Sequence, residues 1–300
     1  MALLLAAAAC GRVDFEPVSD GSETQPALHC DWSAGVPTHG ASLHRTELSN
    51  GPNGEYEDDP ILARDDPHRI YFGRFVASGE ESQWTAYRTT LEGPFDEPER
   101  VTGFVKDGFG GEALFVAGDG ITSFATLSEV ALPTSDYDLY ELLRESATSF
   151  ARSRRLDELD TAEPEYDPWL TRNGTEIWFT RSVGGVGQVW RARRSSIPGS
   201  PWLSPAPVPG FPDQSSSATL TDDGLTVFIT VQPGVGDIYY ATRASELDEF
   251  GSLSRLLLST DGAVPQYEPI IRGDGCELFY IVATGMTGTE WEPYSVSFTP

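Results

Sequence analysis

Apolar positions in this chain come in short runs punctuated by Asp, Asn, Gly and Pro, and the same order of runs recurs five times at intervals of about fifty residues. The third copy is the clearest. Trp169-Leu170-Thr171 reads as a short strand, and Asn173-Gly174 as the tight turn that sends the chain back. Glu176 to Thr180 is mostly apolar, as expected of a strand covered on both faces. Gly184 to Gly187 reads as a loop, and Gln188 to Arg193 as a third strand alternating apolar with polar. Pro198 to Pro209 holds an edge segment around Trp202, where proline is tolerated because an edge strand need not donate every hydrogen bond. The fourth copy runs Ala218 to Gly224, Val227 to Thr230, Asp237 to Arg243 and Phe250. The fifth runs Tyr267 to Gly275, Leu278 to Ile281 and Trp291 to Val296.

Two earlier copies are worn. One runs Asp59 to Leu62, Ile70 to Phe72, Trp84 to Arg88 and Phe95, with Asp65-Asp66-Pro67 as a turn lacking glycine. The other runs Leu114 to Val116, Phe124 to Thr126, Tyr137 to Arg144 and Phe150. The spacing of Leu142, Leu143 and Ser146 also suits a helix over Tyr140 to Leu156, but the register of the repeat assigns strands there. Four antiparallel strands per copy predict an all-β fold, a single β-propeller of five four-stranded blades, with six blades as the alternative.

A propeller must join its first and last blades. The last copy ends at Ser297 to Pro300 without an outer strand, whereas Asp31 to Leu48 precedes the first copy. That N-terminal segment is therefore expected to supply the missing strand of the last blade and cover its edge. Cys30 and Cys276 then fall on one face of the same blade. If the chain is exported they are expected to form a disulfide; two unrelated thiols are the alternative.

The pattern Pro-x-Leu-x-x-(Asn/Asp)-Gly, an apolar strand, a glycine-rich loop and Asp-(Ile/Leu)-Tyr-x-Ala-x-Arg resembles the WD40-like repeats of TolB-type periplasmic β-propellers over residues 55–298. The resemblance implies the fold; propellers of this kind serve as scaffolds, sugar binders and occasionally enzymes. Residues 1–10, from Met1 through a Leu- and Ala-rich run to Cys10, are too short to span a bilayer and resemble the end of a bacterial lipoprotein signal, although no Lys or Arg precedes the cysteine. That resemblance implies lipidation of Cys10 and, with Gly11 after it, an outer-membrane-anchored, periplasmic or extracellular protein. Residues 11–28 are polar and aperiodic, a flexible stalk, and 29–300 form the propeller. A featureless Ala-rich N-terminus is the competing reading of the first segment.

Charge narrows the partners. A net charge of −26 argues against nucleic acid and against electrostatic docking on anionic lipid, so membrane contact is expected through the lipid anchor alone. An envelope protein or a glycan remains, bound by a monomer. The residue before the proline position is Asp59, Ala113, Asp167, Ser217 and Glu268 in the five copies. Asp59, Asp167 and Glu268, with Glu57 and Glu165 nearby, would ring one mouth of the channel as a ligand site. These carboxylates have three readings. They accept hydrogen bonds from the neighbouring blade, they hold Ca²⁺, or Asp59, Asp167 and Glu268 act as acid and base on a glycosidic bond, as in five-bladed glycoside hydrolases. Tyr56, Tyr166, Tyr267 and Trp84 are candidates to stack on sugars or to form blade core. No nucleophile elbow, phosphate loop or paired-cysteine motif is present, and His39, His44 and Cys30 match no zinc spacing. The arginines between Arg152 and Arg194 read as a solvated blade edge. The leading expectation is a non-catalytic envelope lipoprotein without a cofactor, and the rival is a polysaccharide-cleaving enzyme.

Overall fold

The structure is a computed structural model, described for residues 29–39, 44–45, 48, 56–75, 81–104, 109–131, 137–197, 199–232, 236–258, 264–284 and 290–300. Residues 1–28, with the expected lipoprotein-like leader, Cys10 and stalk, lie outside these residues. Two short strands, β1 (Thr38–His39) and β2 (His44–Arg45), precede five sheets. Blade 1 is β3 (Tyr56–Leu62), β4 (Arg69–Phe75), β5 (Glu81–Tyr87) and β6 (Glu99–Arg100). Blade 2 is β7 (Phe109–Val116), β8 (Thr122–Ala131), β9 (Tyr137–Arg144) and β10 (Phe150–Arg155). Blade 3 is β11 (Glu165–Leu170), β12 (Glu176–Val183), β13 (Val186–Arg193) and β14 (Ala206–Pro207). Blade 4 is β15 (Ser215–Leu220), β16 (Thr226–Val231), β17 (Asp237–Thr242) and β18 (Ser254–Arg255). Blade 5 is β19 (Gln266–Ile271), β20 (Glu277–Thr284) and β21 (Glu290–Thr299). The inner strands β3, β7, β11, β15 and β19 touch in succession, and β19 touches β3, which closes a five-bladed ring.

Burial explains the pattern of each strand. The second strand of a blade is covered by both neighbouring blades, so β16 is buried at all six positions, and Ile177, Trp178 and Phe179 of β12 are fully enclosed. The third strand, farther out, alternates: in β17 Ile238 and Ala241 are buried and the rest half-exposed. Tyr140 to Leu156 holds the end of β9, a turn and β10 rather than a helix, because Leu139 and Leu142 face the core of blade 2 while the edge pairs with β10. Two local expectations needed correction. Gly184 and Gly185 make a two-residue hairpin turn with φ of 61° and 81°, tighter than the expected loop. Trp202 lies before the edge strand rather than in it, buried beneath the Arg194 guanidinium 4.3 Å from its ring.

The N-terminal segment closes blade 5 as expected. β1 and β2 both pair antiparallel with β21, Thr38 opposite Thr299 and His44 opposite Ser295. Cys30 and Cys276 form a disulfide across 246 residues. Why a tryptophan follows is visible by comparing blades. In blades 3 and 4 an arginine at the end of the third strand donates its Nε–H to the turn glycine, Arg194 to Gly174 O and Arg243 to Gly224 O, each at 2.7 Å. In blade 5 the equivalent position is Phe298, whose backbone amide bonds Cys276 O as Arg243 N bonds Leu225 O. There the indole of Trp32 donates to Gly275 O at 3.0 Å and packs edge-on against Phe228 and Phe298.

Candidate functional site

The five residues before the proline position share one backbone conformation. Asp59, Ala113, Asp167, Ser217 and Glu268 have φ between 45° and 55°, and among the described residues they are the non-glycine residues with positive φ. At each one the pairing of first and second strands shifts register, so every inner strand carries a bulge at the same level. A left-handed non-glycine residue costs about 1 kcal/mol or more, and five of them form a strained ring facing the axis. They line a cavity of about 20 Å³ together with Trp169, room for about one water.

The carboxylates of this ring are bonded within the protein. Asp167 Oδ2 accepts Thr180 Oγ1 at 2.9 Å and, from the next blade, Ser217 Oγ at 3.0 Å. Thr180 Oγ1 in turn accepts Ser217 N. Glu268 Oε2 accepts the Asp59 amide across the junction of blades 5 and 1, at 3.0 Å. Its own amide donates to Thr230 of blade 4, at 2.9 Å. Asp167 is half-buried as a residue, but its carboxyl is enclosed. Burial pushes its pKa up, opposed by the Thr180 and Ser217 hydrogen bonds.

Glu57 and Glu165 sit one turn of the pleat farther out, and both are buried against arginines. Glu165 receives Arg181 Nε at 2.8 Å and Thr161, and Arg181 lies over Trp190 at 4.3 Å. Glu57 faces Arg74 at 3.7 Å, and Arg74 lies over Trp84, again at 4.3 Å. Blades 1 and 3 thus build the same carboxylate–guanidinium–indole stack. Burial raises the Glu165 pKa, opposed by Thr161 and Arg181. Tyr166 pairs with Tyr137 at 6.2 Å and Tyr267 with Trp291 at 5.2 Å, all four half-exposed, while the side chain of Tyr56 lies outside the described residues. Residues 76–80, 132–136, 233–235 and 285–289 of the loops expected at this mouth also lie outside them.

Asp59, Asp167 and Glu268 do not converge within the 4.8 Å at which three carboxylates share an ion. Among the described residues the acids that do are Asp138, Asp160 and Glu165, at the outer contact of blades 2 and 3. Arg155 reaches both aspartates and Arg181 the glutamate, so two of the three charges are already balanced. Of the arginines read as a solvated edge, Arg154 pairs with Glu141 and Glu158, Arg155 with Asp138 and Asp160, Arg191 with Glu249 and Arg193 with Glu176.

The opposite mouth was not anticipated. Five residues beyond each ring position stand Arg64, Gly118, Arg172, Asp222 and Gly273. Arg64 crosses the axis over Trp169, 4.9 Å from the ring, and bonds Asp222, as does Arg172. The repeat offset is the signal that marks these residues in the sequence.

No protein-family model matches the chain, and no curated protein matches it. Solved structures do. The native Bacillus subtilis arabinanase Arb43A is 11% identical with a TM-score of 0.57, over 85% of this chain and 96% of that one. CoXyl43, a GH43 β-xylosidase/α-arabinofuranosidase from a compost metagenome, is 12% identical at 0.56, over 87% and 95%. TolB from Acinetobacter baumannii is 14% identical at 0.47, and the chain, matched over 82% of itself, spans 55% of that protein's length. TolB proteins and arabinanases thus both stand among the structural neighbours, and the likeness to the arabinanase and to CoXyl43 is one of fold alone.

Proposed function

We propose that this chain is a non-catalytic five-bladed propeller of the bacterial cell envelope. It binds a glycan or protein partner at the mouth framed by Asp59, Asp167 and Glu268. The observation that carries this reading is the internal bonding of the ring carboxylates: Glu268 caps the Asp59 amide and Asp167 holds two hydroxyls. A general acid must present a proton to substrate and a general base a lone pair, and here Asp167 Oδ2 and Glu268 Oε2 are engaged by the blades instead. The half-exposed pairs Tyr137–Tyr166 and Tyr267–Trp291 offer flat apolar faces of the kind that stack on sugar rings. Glu57 and Glu165 support the frame from behind through Arg74 and Arg181. In this reading the protein works as a monomer held at the membrane by a lipid on Cys10, without a cofactor. Loss of palmitate labelling in Cys10→Ser would support the anchor, and unlabelled wild type would remove it.

One observation favours an enzyme. The Asp167 carboxyl, raised by burial, has the property required of the acid in glycosidic cleavage, and the fold is shared with a native arabinanase. Incubation with arabinan, fructan and xylan oligosaccharides separates the two readings. Binding without released sugar supports the module, whereas turnover abolished in Asp167→Ala establishes the enzyme.

A further inference from the structure

The second mouth of the channel, where each first strand turns into the second, gathers four arginines, Arg64, Arg172, Arg194 and Arg272. Two chambers open there, of about 250 Å³ and 190 Å³, and Arg64 and Arg172 line both. The smaller is also lined by Arg194, Asp119, Thr122 and Thr171. Its three guanidiniums come from blades 1 and 3, and Gly118 of blade 2 leaves open space, since a Cβ there would meet nothing within 4 Å.

The acids nearby engage these arginines only in part. Arg64 and Arg172 share one carboxylate, Asp222. Asp119 is spent on its own turn: Oδ1 takes the amides of Ile121 and Thr122, and Oδ2 takes the Thr122 hydroxyl. Arg194 is held by Gly174 O and the Trp202 face, with no carboxylate in ion-pair range among the described residues. Three arginines therefore converge beside Asp119 and Asp222, with Glu141 and Glu158 acting on Arg194 from beyond ion-pair range, in a chain whose net charge is −26. Arg64 is 5% exposed and fixed between Leu170 O and Asp222, whereas the Arg172 side chain is 69% exposed and turned to solvent. The larger chamber adds an apolar wall of Leu62, Pro67, Leu91 and Ile271, while its own Arg272 is bound by Asp274 and Glu277.

We infer that this mouth is a binding site for a small oxyanion ligand, a carboxylate or phosphate group, held by Arg172 and Arg64 with Arg194 behind them. The ligand body rests in the larger chamber. Planar guanidiniums suit such groups because they donate two parallel hydrogen bonds to paired oxygens, and a dry floor strengthens each bond. Asp222 acts as the internal competitor: it occupies the arginines when the ligand is absent. This site lies at the end of the channel opposite the proposed partner mouth, so each stands or falls alone.

The test is isothermal titration and thermal shift of the full chain in low-salt buffer with inorganic phosphate, acetate and glucuronate, with glucose as the neutral control. Saturable heat and a raised melting temperature are expected with the anions and not with glucose. Stronger binding of glucuronate than phosphate identifies a carboxylate ligand, and the reverse a phosphate ester. Arg172→Ala, at an exposed side chain, should weaken binding about tenfold or more, as loss of a charge-assisted hydrogen bond does. Asp222→Asn should strengthen it several-fold by releasing both arginines. Arg100→Ala, exposed on the edge of blade 1, should leave it unchanged. Absence of saturable binding by wild type, or equal binding by wild type and Arg172→Ala, overturns the inference. Should Asp222→Asn fail to fold, the Arg172 comparison still decides.

Discussion

Replacing Cys30 and Cys276 together by alanine tests how the ring is held shut. The bond links residues 246 apart and ties the segment that supplies β1 and β2 to the first hairpin of blade 5. In the chain-entropy picture, closing a loop of that length lowers unfolded-state entropy by an amount worth about 5 kcal/mol at 25 °C. Little offsets this in the fold, because Cys30 and Cys276 are both buried beside Trp32 and alanine fits their space. For a propeller of this size each kcal/mol moves the melting temperature by about 2 °C, so the double variant should melt about 10 °C below the oxidised protein. The assay is reversible thermal or urea unfolding followed by tryptophan fluorescence, with reduced wild type as a second comparison. Reduced wild type should match the variant. A difference below about 1 kcal/mol would refute the reasoning, since strand pairing of β1 and β2 with β21 would then suffice to seal the ring.

Four further outcomes follow from the same contacts. Trp32→Ala should cost about 3 to 5 kcal/mol, because it empties a pocket among Phe228, Tyr240 and Phe298 and orphans Gly275 O; a urea midpoint shift worth under about 1 kcal/mol would show the plug to be dispensable. Glu277→Ala should cost about 3 to 5 kcal/mol by stranding Arg88, which is 3% exposed and holds Glu277 through two hydrogen bonds, whereas Arg88→Met with Glu277→Leu should lose far less. Asp167 has a raised folded pKa, so its contribution is fully present below the unfolded value of 3.8 and is lost as pH rises through the folded one. Asp167→Asn should therefore gain stability relative to wild type as pH climbs from 4 towards neutrality, and a pH-independent difference in unfolding free energy would contradict the burial argument. Burial also pushes the Tyr71 phenol up to about 12, so its share of stability should be intact below the unfolded value of 10.0 and fall away as pH climbs from there towards 12, with tyrosinate absorbance following the titration.

Much of this molecule was legible from its repeat. The Asn-Gly and Asp-Gly turns mark where each blade folds back, and the glycines at 174, 224 and 275 do take the left-handed conformation that the turn requires. The worn second copy was legible too, since Phe115 and Phe124 kept their places although its loops had changed. The disulfide was the expected pairing of Cys30 and Cys276 on one face of the closing blade, with two separate thiols as the alternative, and the structure forms it. Roles of individual side chains were less visible. Glu57 and Glu165 look like free acids in a sequence that cannot show Arg74 and Arg181 beside them.

What the sequence by itself determined was the unit and its five recurrences, because period and turn chemistry are local and survive without knowledge of distant neighbours. What only the tertiary structure decided was which charges meet across the axis. Arg64, Arg172 and Asp222 stand 50 or more residues apart, and only closing the circle brings them within bonding distance. The same closure set the ring carboxylates against the blades: the Asp59 amide on Glu268 and the Ser217 hydroxyl on Asp167 both come from the next blade, which no stretch of chain read alone contains.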